Sequence, residues 1–295
     1  MTSAARRRLQ NVRMIDRTRI IATAHLFAEL DAHLIDLLES LSAAEWTART
    51  IVPRWNVHQI AAHLLDTALR RLSSCRDGWV VAADPIRSER DLIDLVNRLN
   101  AAGVSLFGRI SPTMLLALTK ATVPQLAKYV VSLDPMAPAP WAVSWAGEAS
   151  SANWFDVARE FTERWHHQQQ IRLAVGKPGI LTPRLYAPVL DTFMRALPCA
   201  YEGVDAPNGT VCQVIVPDDG GGSWQVTRRD GAWALDADAP IESCAKVASS
   251  TSLPREIAWR VFTNGIAADE ARSQIAIEGD ERLGAVVLRA RAIVG

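Results

Sequence analysis

The chain has 295 residues, 49% of them hydrophobic and 22% charged, a globular composition well away from disorder. Thirty-two Lys and Arg offset 32 Asp and Glu, which excludes the broad basic face that nucleic-acid binding needs. No apolar run approaches the roughly 18 residues of a membrane-spanning helix, and the basic segment MTSAARRRLQNVRM has no apolar stretch behind it, so no signal peptide is expected.

At this length two domains are expected. Residues 14–41 read as a long helix, because Phe27, Leu30, Leu34, Leu37 and Leu41 recur at 3-4-3-4 spacing and share one face. Ser42-Ala-Ala-Glu45 is a capping-box pattern opening a short turn with Trp46. Asn56 is an N-cap for a helix over 57–74, with Val57, Ile60, Ala61, Leu64 and Ala68 on one face and Asp77-Gly78 beyond its end. Helical patterns follow at 88–104, opening on Ser88, and at 111–132, opening on Ser111-Pro112. Residues 133–150 carry three prolines and read as a loop; 153–175 read as a helix closed by Gly176. The first part is therefore nearly all helix and suits a four-helix bundle.

After Gly176-Lys-Pro-Gly179 the texture changes. A helix is predicted over 183–198, strands over 210–216, 223–228, 232–235 and 245–249, a helix over 253–264, a strand over 273–277 and a closing amphipathic helix over 280–292. The predicted domains are residues 1–178, all helical, and 179–295, α+β.

Cys75, Cys199, Cys212 and Cys244 include no C-x-x-C pair, so free thiols in a reducing cytoplasm are expected. The six histidines all precede residue 170, which assigns any histidine chemistry to the helical part. Glu163-Arg-Trp-His-His167 puts Glu163 and His167 four apart, on one helix face. Glu163 with His166, three apart, is a competing pair, and a solvated face is the plainer reading of both. His63 lies among Ala61, Ala62, Leu64 and Leu65, where a hydrogen-bonded core histidine is the plainer reading. His58 and Asp66 read as outer-face residues, and His25 and His33 as non-ligands. Brought together in a bundle, His63 and the Glu163/His167 pair would give three N/O donors and one open position, the pattern of a catalytic zinc site. No G-x-G-x-x-G after a strand, P-loop or G-x-S-x-G elbow is present.

Two segments carry a family resemblance. Pro53-Arg-Trp55-Asn-Val57-His-Gln-Ile60-Ala-Ala-His63-Leu resembles the W-x-V-x-x-[IL]-x-x-H-[IL] segment of the DinB-like family. Glu163-Arg-Trp-His-His167-Gln-Gln-Gln-Ile171-Arg172 is similar to the E-x-x-x-H-Q-x-D-[IL]-R segment of its mycothiol-dependent maleylpyruvate isomerase branch. Ser223-Trp-Gln-Val226, Asp230-Gly-Ala-Trp233 and Ile277-Glu-Gly-Asp280-Glu-Arg-Leu283 resemble that branch's sterol-carrier-protein-like C-terminal domain.

The resemblance implies a DinB-like four-helix bundle, with a divalent metal, usually zinc, on His63, Glu163 and His167, favouring His167 over His166 as the ligand. His166 and Gln170 would then line the cofactor site, Gln170 standing where the family has Asp. The family also enlists a C-terminal arginine; Arg260 and Arg282 are the candidates for this catalytic role, and Asn264 stands where related chains often carry a cation. The implied cosubstrate is mycothiol, whose metal-bound thiolate would attack an electrophilic small molecule, by maleylpyruvate-type cis–trans isomerisation or S-transfer. A cytoplasmic monomer or homodimer, with no nucleic-acid or membrane partner, is the matching expectation. A hydrolase or lyase using bound water, and a non-catalytic binding protein with a degenerate site, are the alternatives.

Overall fold

The computed structural model describes residues 20–80, 86–217, 219–236 and 247–293. Helices α1 (Phe27–Glu39), α2 (Val57–Arg71), α3 (Glu89–Phe107), α4 (Pro112–Val131) and α5 (Asn153–Val175) build the first part. Local chemistry sets their ends. At α2, Asn56 Oδ1 accepts from the Gln59 amide at 2.9 Å while Gln59 Oε1 accepts from the Asn56 amide at 3.0 Å, a reciprocal box that satisfies two donors a helix start leaves open. Ser88 and Ser111 cap α3 and α4. Gly176, at φ 65°, supplies the left-handed residue that ends α5. Helix α1 starts later than expected, after a 3₁₀ turn at Ala24–Leu26; residues 14–19 of that expectation lie outside the described residues. Its stripe holds, with Phe27, Leu30, Leu34 and Leu37 buried.

Helices α1, α2, α4 and α5 pack as the bundle, and α3 lies against α2. That contact corrects the outer-face reading of Asp66. Gly103 lets α3 approach so closely that a Cβ there would fall 2.2 Å from the Asp66 carboxylate. Asp66 is buried and accepts from Arg70 Nε at 2.8 Å, while Arg70 Nη2 reaches Asn100 of α3 at 2.8 Å.

Helix α5 runs through the middle, enclosed by α1, α2 and α6 (Pro183–Met194). Its residues are buried nearly all round between Asn153 and Arg172. Buried ion pairs tie it to its neighbours: Arg164 to Asp31 of α1 at 2.6 Å, and Arg71 of α2 to Asp156. Such pairs are costly to desolvate but strongly destabilising to break singly.

The second part is a mixed sheet in the order β3-β2-β1-β4-β5, from β1 (Val211–Val216), β2 (Gly222–Arg229), β3 (Ala232–Asp236), β4 (Val247–Ser252) and β5 (Ala276–Gly279). Strand β1 pairs antiparallel with β2 and parallel with β4. Asp230 and Gly231, both at positive φ, close the β2–β3 hairpin. Strand β4 lies later than predicted because its sequence, VASSTS, offers little apolar alternation. The closing helix is corrected to a short turn at Glu281–Gly284 followed by a 3₁₀ stretch at Ala285–Arg289. Gly284 packs too tightly for a Cβ, which would meet Ile277, Ser249 and Thr251 at 2.4–2.8 Å.

Residues 176–182 are not a loose linker. Arg172 donates to the carbonyls of Lys177, Pro178 and, across on α1, His33. One hydrophobic core crosses from the bundle to the sheet. At its centre Trp165 of α5 stacks on Tyr186 of α6 (4.8 Å, 11°), meets Trp259 of α7 (Arg255–Phe262) edge-on at 6.2 Å, and donates from Nε1 to Ile180 O at 3.1 Å. Trp165→Ala is expected to cost about 3–5 kcal/mol, read as a lowered urea midpoint; a loss below about 1 kcal/mol would remove Trp165 from the centre of the core.

Candidate metal centre

Helix α2 contributes His63, one face of a helix fixed by its Asn56 cap. Helix α5 contributes Glu163, His166 and His167. The ligand atoms of the last three lie within 4.8 Å of one another. Glu163 Oε2 is 3.7 Å from His167 Nε2 and 3.9 Å from His166 Nε2, so the i,i+4 and i,i+3 pairs that compete on spacing are both made. His63 joins from across the bundle, its ring centroid 4.6 Å from that of His167. The cluster with metal-ligand spacing is therefore Glu163, His166 and His167, and His63 is outside that set, its ring packed against that of His167. The solvated-face reading of Glu163 and His167 is corrected: His166 and His167 are buried, and Glu163, 27% exposed, is the most accessible of the three.

Hydrogen bonds set the tautomers. Thr162 O, at 2.9 Å from His166 Nδ1, can only accept, so Nδ1 donates and Nε2 keeps its lone pair. Gln170 Oε1 lies 2.8 Å from His167 Nδ1 and fixes that ring in the same way. Both free Nε2 atoms then face Glu163. Buried His63 Nδ1 has no partner, although buried polar atoms nearly always find one. Two lone pairs beside a carboxylate, and an orphaned imidazole nitrogen next to them, fit a cation and fit poorly with none.

Burial keeps the rings neutral. It lowers His166 to about 4, and lowers His167 to about 3 with help from His166. Burial, then the charges of His167, Arg70 and His166, pushes His63 well below the usual histidine range. Burial likewise raises Glu163, against the pull of His167 and Arg159. Neutral imidazole is the form that binds metal.

Trp55 was not among the predicted site residues. It stands just before the Asn56 cap and packs on His63 at 4.8 Å and on His167 at 6.1 Å. Its place at the mouth of a capped helix was the available signal. His58 turns away to Ile110 O at 2.9 Å. His25 and His33 are not in the cluster. Gln170 sits behind His167. Arg260 donates to Gly265 O and faces Glu270, and Arg282 donates to Asp205 O near Asp280. Among the described residues no hydrogen bond or ion pair joins either arginine to the histidines. Cys75 and Cys212 are free thiols; Cys244 lies outside the described residues.

Fold and site define a class: a helical bundle with a histidine–carboxylate cluster at its centre, joined to a mixed-sheet α+β unit. Residues 27–172, α1 to nearly the end of α5, match the mycothiol maleylpyruvate isomerase N-terminal domain, and this part of the chain belongs to that domain family. The chain shares its fold with the crystal structure of a mycothiol-dependent maleylpyruvate isomerase carrying a histidine-to-alanine mutation, at TM-score 0.52 and 12% identity, over 86% of this chain and 91% of that one. Another crystal structure of a mycothiol-dependent maleylpyruvate isomerase matches at TM-score 0.45 and 14% identity, with 86% and 91% covered. No curated protein matches by sequence. No helix of the described residues is long and apolar enough to cross a membrane.

Two outcomes are expected. Gln170→Ala frees His167 Nδ1 and should weaken zinc affinity about 10–100-fold, measured by chelator competition; unchanged affinity would mean that Gln170 does not orient the ligand. In metal-free protein, the unfolded chain protonates these imidazoles near pH 6.5 while the folded chain resists until about 4 and 3. The unfolded state therefore takes up protons first, and stability present above about pH 6.5 falls as pH drops toward 4, by up to about 1.4 kcal/mol per pH unit per histidine. Urea midpoints should show a shallower slope for His166→Phe.

Proposed function

We propose that this chain is a mycothiol-dependent enzyme in which His63, Glu163 and His167 hold a divalent ion, zinc being the best fit, and the mycothiol thiolate attacks an electrophilic small molecule. The reaction is maleylpyruvate-type cis–trans isomerisation, by reversible addition to a C=C bond, or S-transfer. The observation that carries the reading is the cluster of Glu163, His166 and His167 with its imidazole lone pairs left free, and the His63 ring packed against His167. The family domain and the named relatives support mycothiol as the thiol. When bound, such an ion lowers the pKa of a coordinated thiol, so that it is a thiolate at neutral pH.

The protein's own part is to prepare that site. His63 and His167 stay neutral and need lose no proton to act as ligands. Gln170 holds His167 in one tautomer, and its neutral amide oxygen accepts the N–H that a carboxylate would accept in its place. Trp55 screens the two rings from water on one side. Glu163, partly exposed, marks the side from which thiol and electrophile enter. Of the two C-terminal arginines, Arg260 is preferred for the reaction: Gly265, to whose carbonyl it donates, lies against Ile51, in the loop that carries Trp55. Arg282 is 63% exposed and engaged with Asp205. A site of this kind belongs in the cytoplasm, where small thiols stay reduced.

Purified protein is expected to carry about one divalent ion per chain. His63→Ala and His167→Ala should each empty the site by metal analysis and abolish mycothiol-dependent turnover with the circular dichroism spectrum retained. Full turnover without added thiol would replace this reading with a water-using hydrolase or lyase.

A further inference from the structure

We infer that His166 is a fourth protein ligand of the ion in the thiol-free protein, and the one that the thiol displaces, so that water is kept from the position the cosubstrate takes. The inference deepens the proposed function and rests on it, with His63, Glu163 and His167 as the lasting ligands.

Successive residues of α5 turn by about 100°. His166 and His167 therefore leave the helix in well-separated directions, with Glu163 between them. The side chains close that gap. The two rings stand 4.1 Å apart between centroids, inclined at 38°. Glu163 Oε2 is almost equidistant from their Nε2 atoms, at 3.9 and 3.7 Å, and one donor atom from each of the three residues lies within 4.8 Å of the others. Donors about 2.0–2.2 Å from a tetrahedral ion stand about 3.3–3.6 Å from one another, so small movements of these side chains bring all three onto one ion.

Packing alone does not account for His166. Its side chain is 3% exposed, and Nδ1 is committed to the Thr162 carbonyl at 2.9 Å. That bond leaves Nε2 as a bare lone pair directed at a carboxylate, beyond hydrogen-bond reach of it. Two acceptors that face each other in a buried place gain nothing from the arrangement, whereas a cation between them turns opposition into binding.

The two imidazoles are not held alike. His167 is gripped by Gln170 at Nδ1, by the His63 ring at 4.6 Å and by Trp55 at 6.1 Å. Among the described residues His166 packs on no ring but that of His167, and its hydrogen bond goes to a carbonyl of its own helix. A tilt of the His166 ring withdraws Nε2 while α5 stays in place. With His63, the four N/O donors make a closed set that leaves water no place. A soft thiolate competes well for zinc against an imidazole. His166 gives up its bond to the ion as the sulfur forms one, and the thiol proton leaves to solvent.

The test uses protein loaded with cobalt(II) in place of zinc and carrying isotope-labelled histidine. Each imidazole bound to this paramagnetic ion shows a strongly shifted N–H resonance, so the signals count the bound histidines. Three are expected without thiol and two after mycothiol is added. His166→Phe keeps the bulk of the ring and should show two from the start. It should also bind cobalt(II) about tenfold more weakly by chelator competition, and mycothiol severalfold more tightly because no ligand has to leave. Two signals in thiol-free wild type, or three that persist with mycothiol bound, would overturn the inference, and these counts decide it whether or not the variant folds. Wild type that takes up no stoichiometric cobalt(II), or that shows no sulfur-to-cobalt charge-transfer band with mycothiol, would instead overturn the proposed function and this inference with it.

Discussion

Two hydrogen bonds, from His166 Nδ1 to the Thr162 carbonyl and from His167 Nδ1 to Gln170, settle how a helix with two adjacent histidines can occupy the middle of this protein. An imidazolium there would need a counter-charge and would suffer the desolvation that drives both rings to low pKa. By donating its one N–H to a defined acceptor, each neutral ring keeps that tautomer and turns its lone pair to the same small volume as Glu163. The fold around α5, with α2 bringing His63 and the Trp55 loop over the rings, is organised about that arrangement.

Much of this was legible. The caps at Ser42, Asn56 and Ser88 and the stop at Gly176 wrote their own helix ends, because capping is local chemistry. The spacing of Glu163, His166 and His167 announced a cluster, yet it could not separate the two histidines: three and four residues both reach a neighbour on a helix, and both do here. What stayed hidden depended on distant chain. A polar helix reads as a surface helix until a second layer covers it, and the covering of α5 comes from α6, beyond the loop at 176–182. Asp66 looked solvent-facing because nothing near it in sequence reveals that Gly103 admits α3 so closely. Strand β4 gains its place by pairing on both sides with β1 and β5, which its serine-rich sequence does not advertise.

The charged residues of α5 follow a second logic. Asp31–Arg164 and the Arg71–Asp156–Arg159 group bury charges that are costly to desolvate and costly to break singly. They also tie helices together. Arg164 and Asp156 each engage a different neighbouring helix, so α5 is registered against α1 at one level and against α2 at another. Burial raises Asp31 even beside Arg164, a sign that this order is bought with solvation.

Trp165 immediately precedes His166 in the chain, and on a helix neighbouring residues point about 100° apart. Its indole is wedged between Tyr186 and Trp259 of the second part and tethered to the Ile180 carbonyl. The sheet unit therefore works as a brace on the azimuth of α5: a twist of the helix by even a fraction of a turn would have to unseat the indole before it could swing the imidazoles off their common focus. Changes made anywhere in that aromatic seam, though remote from any ligand atom, should be felt at the cluster as misalignment.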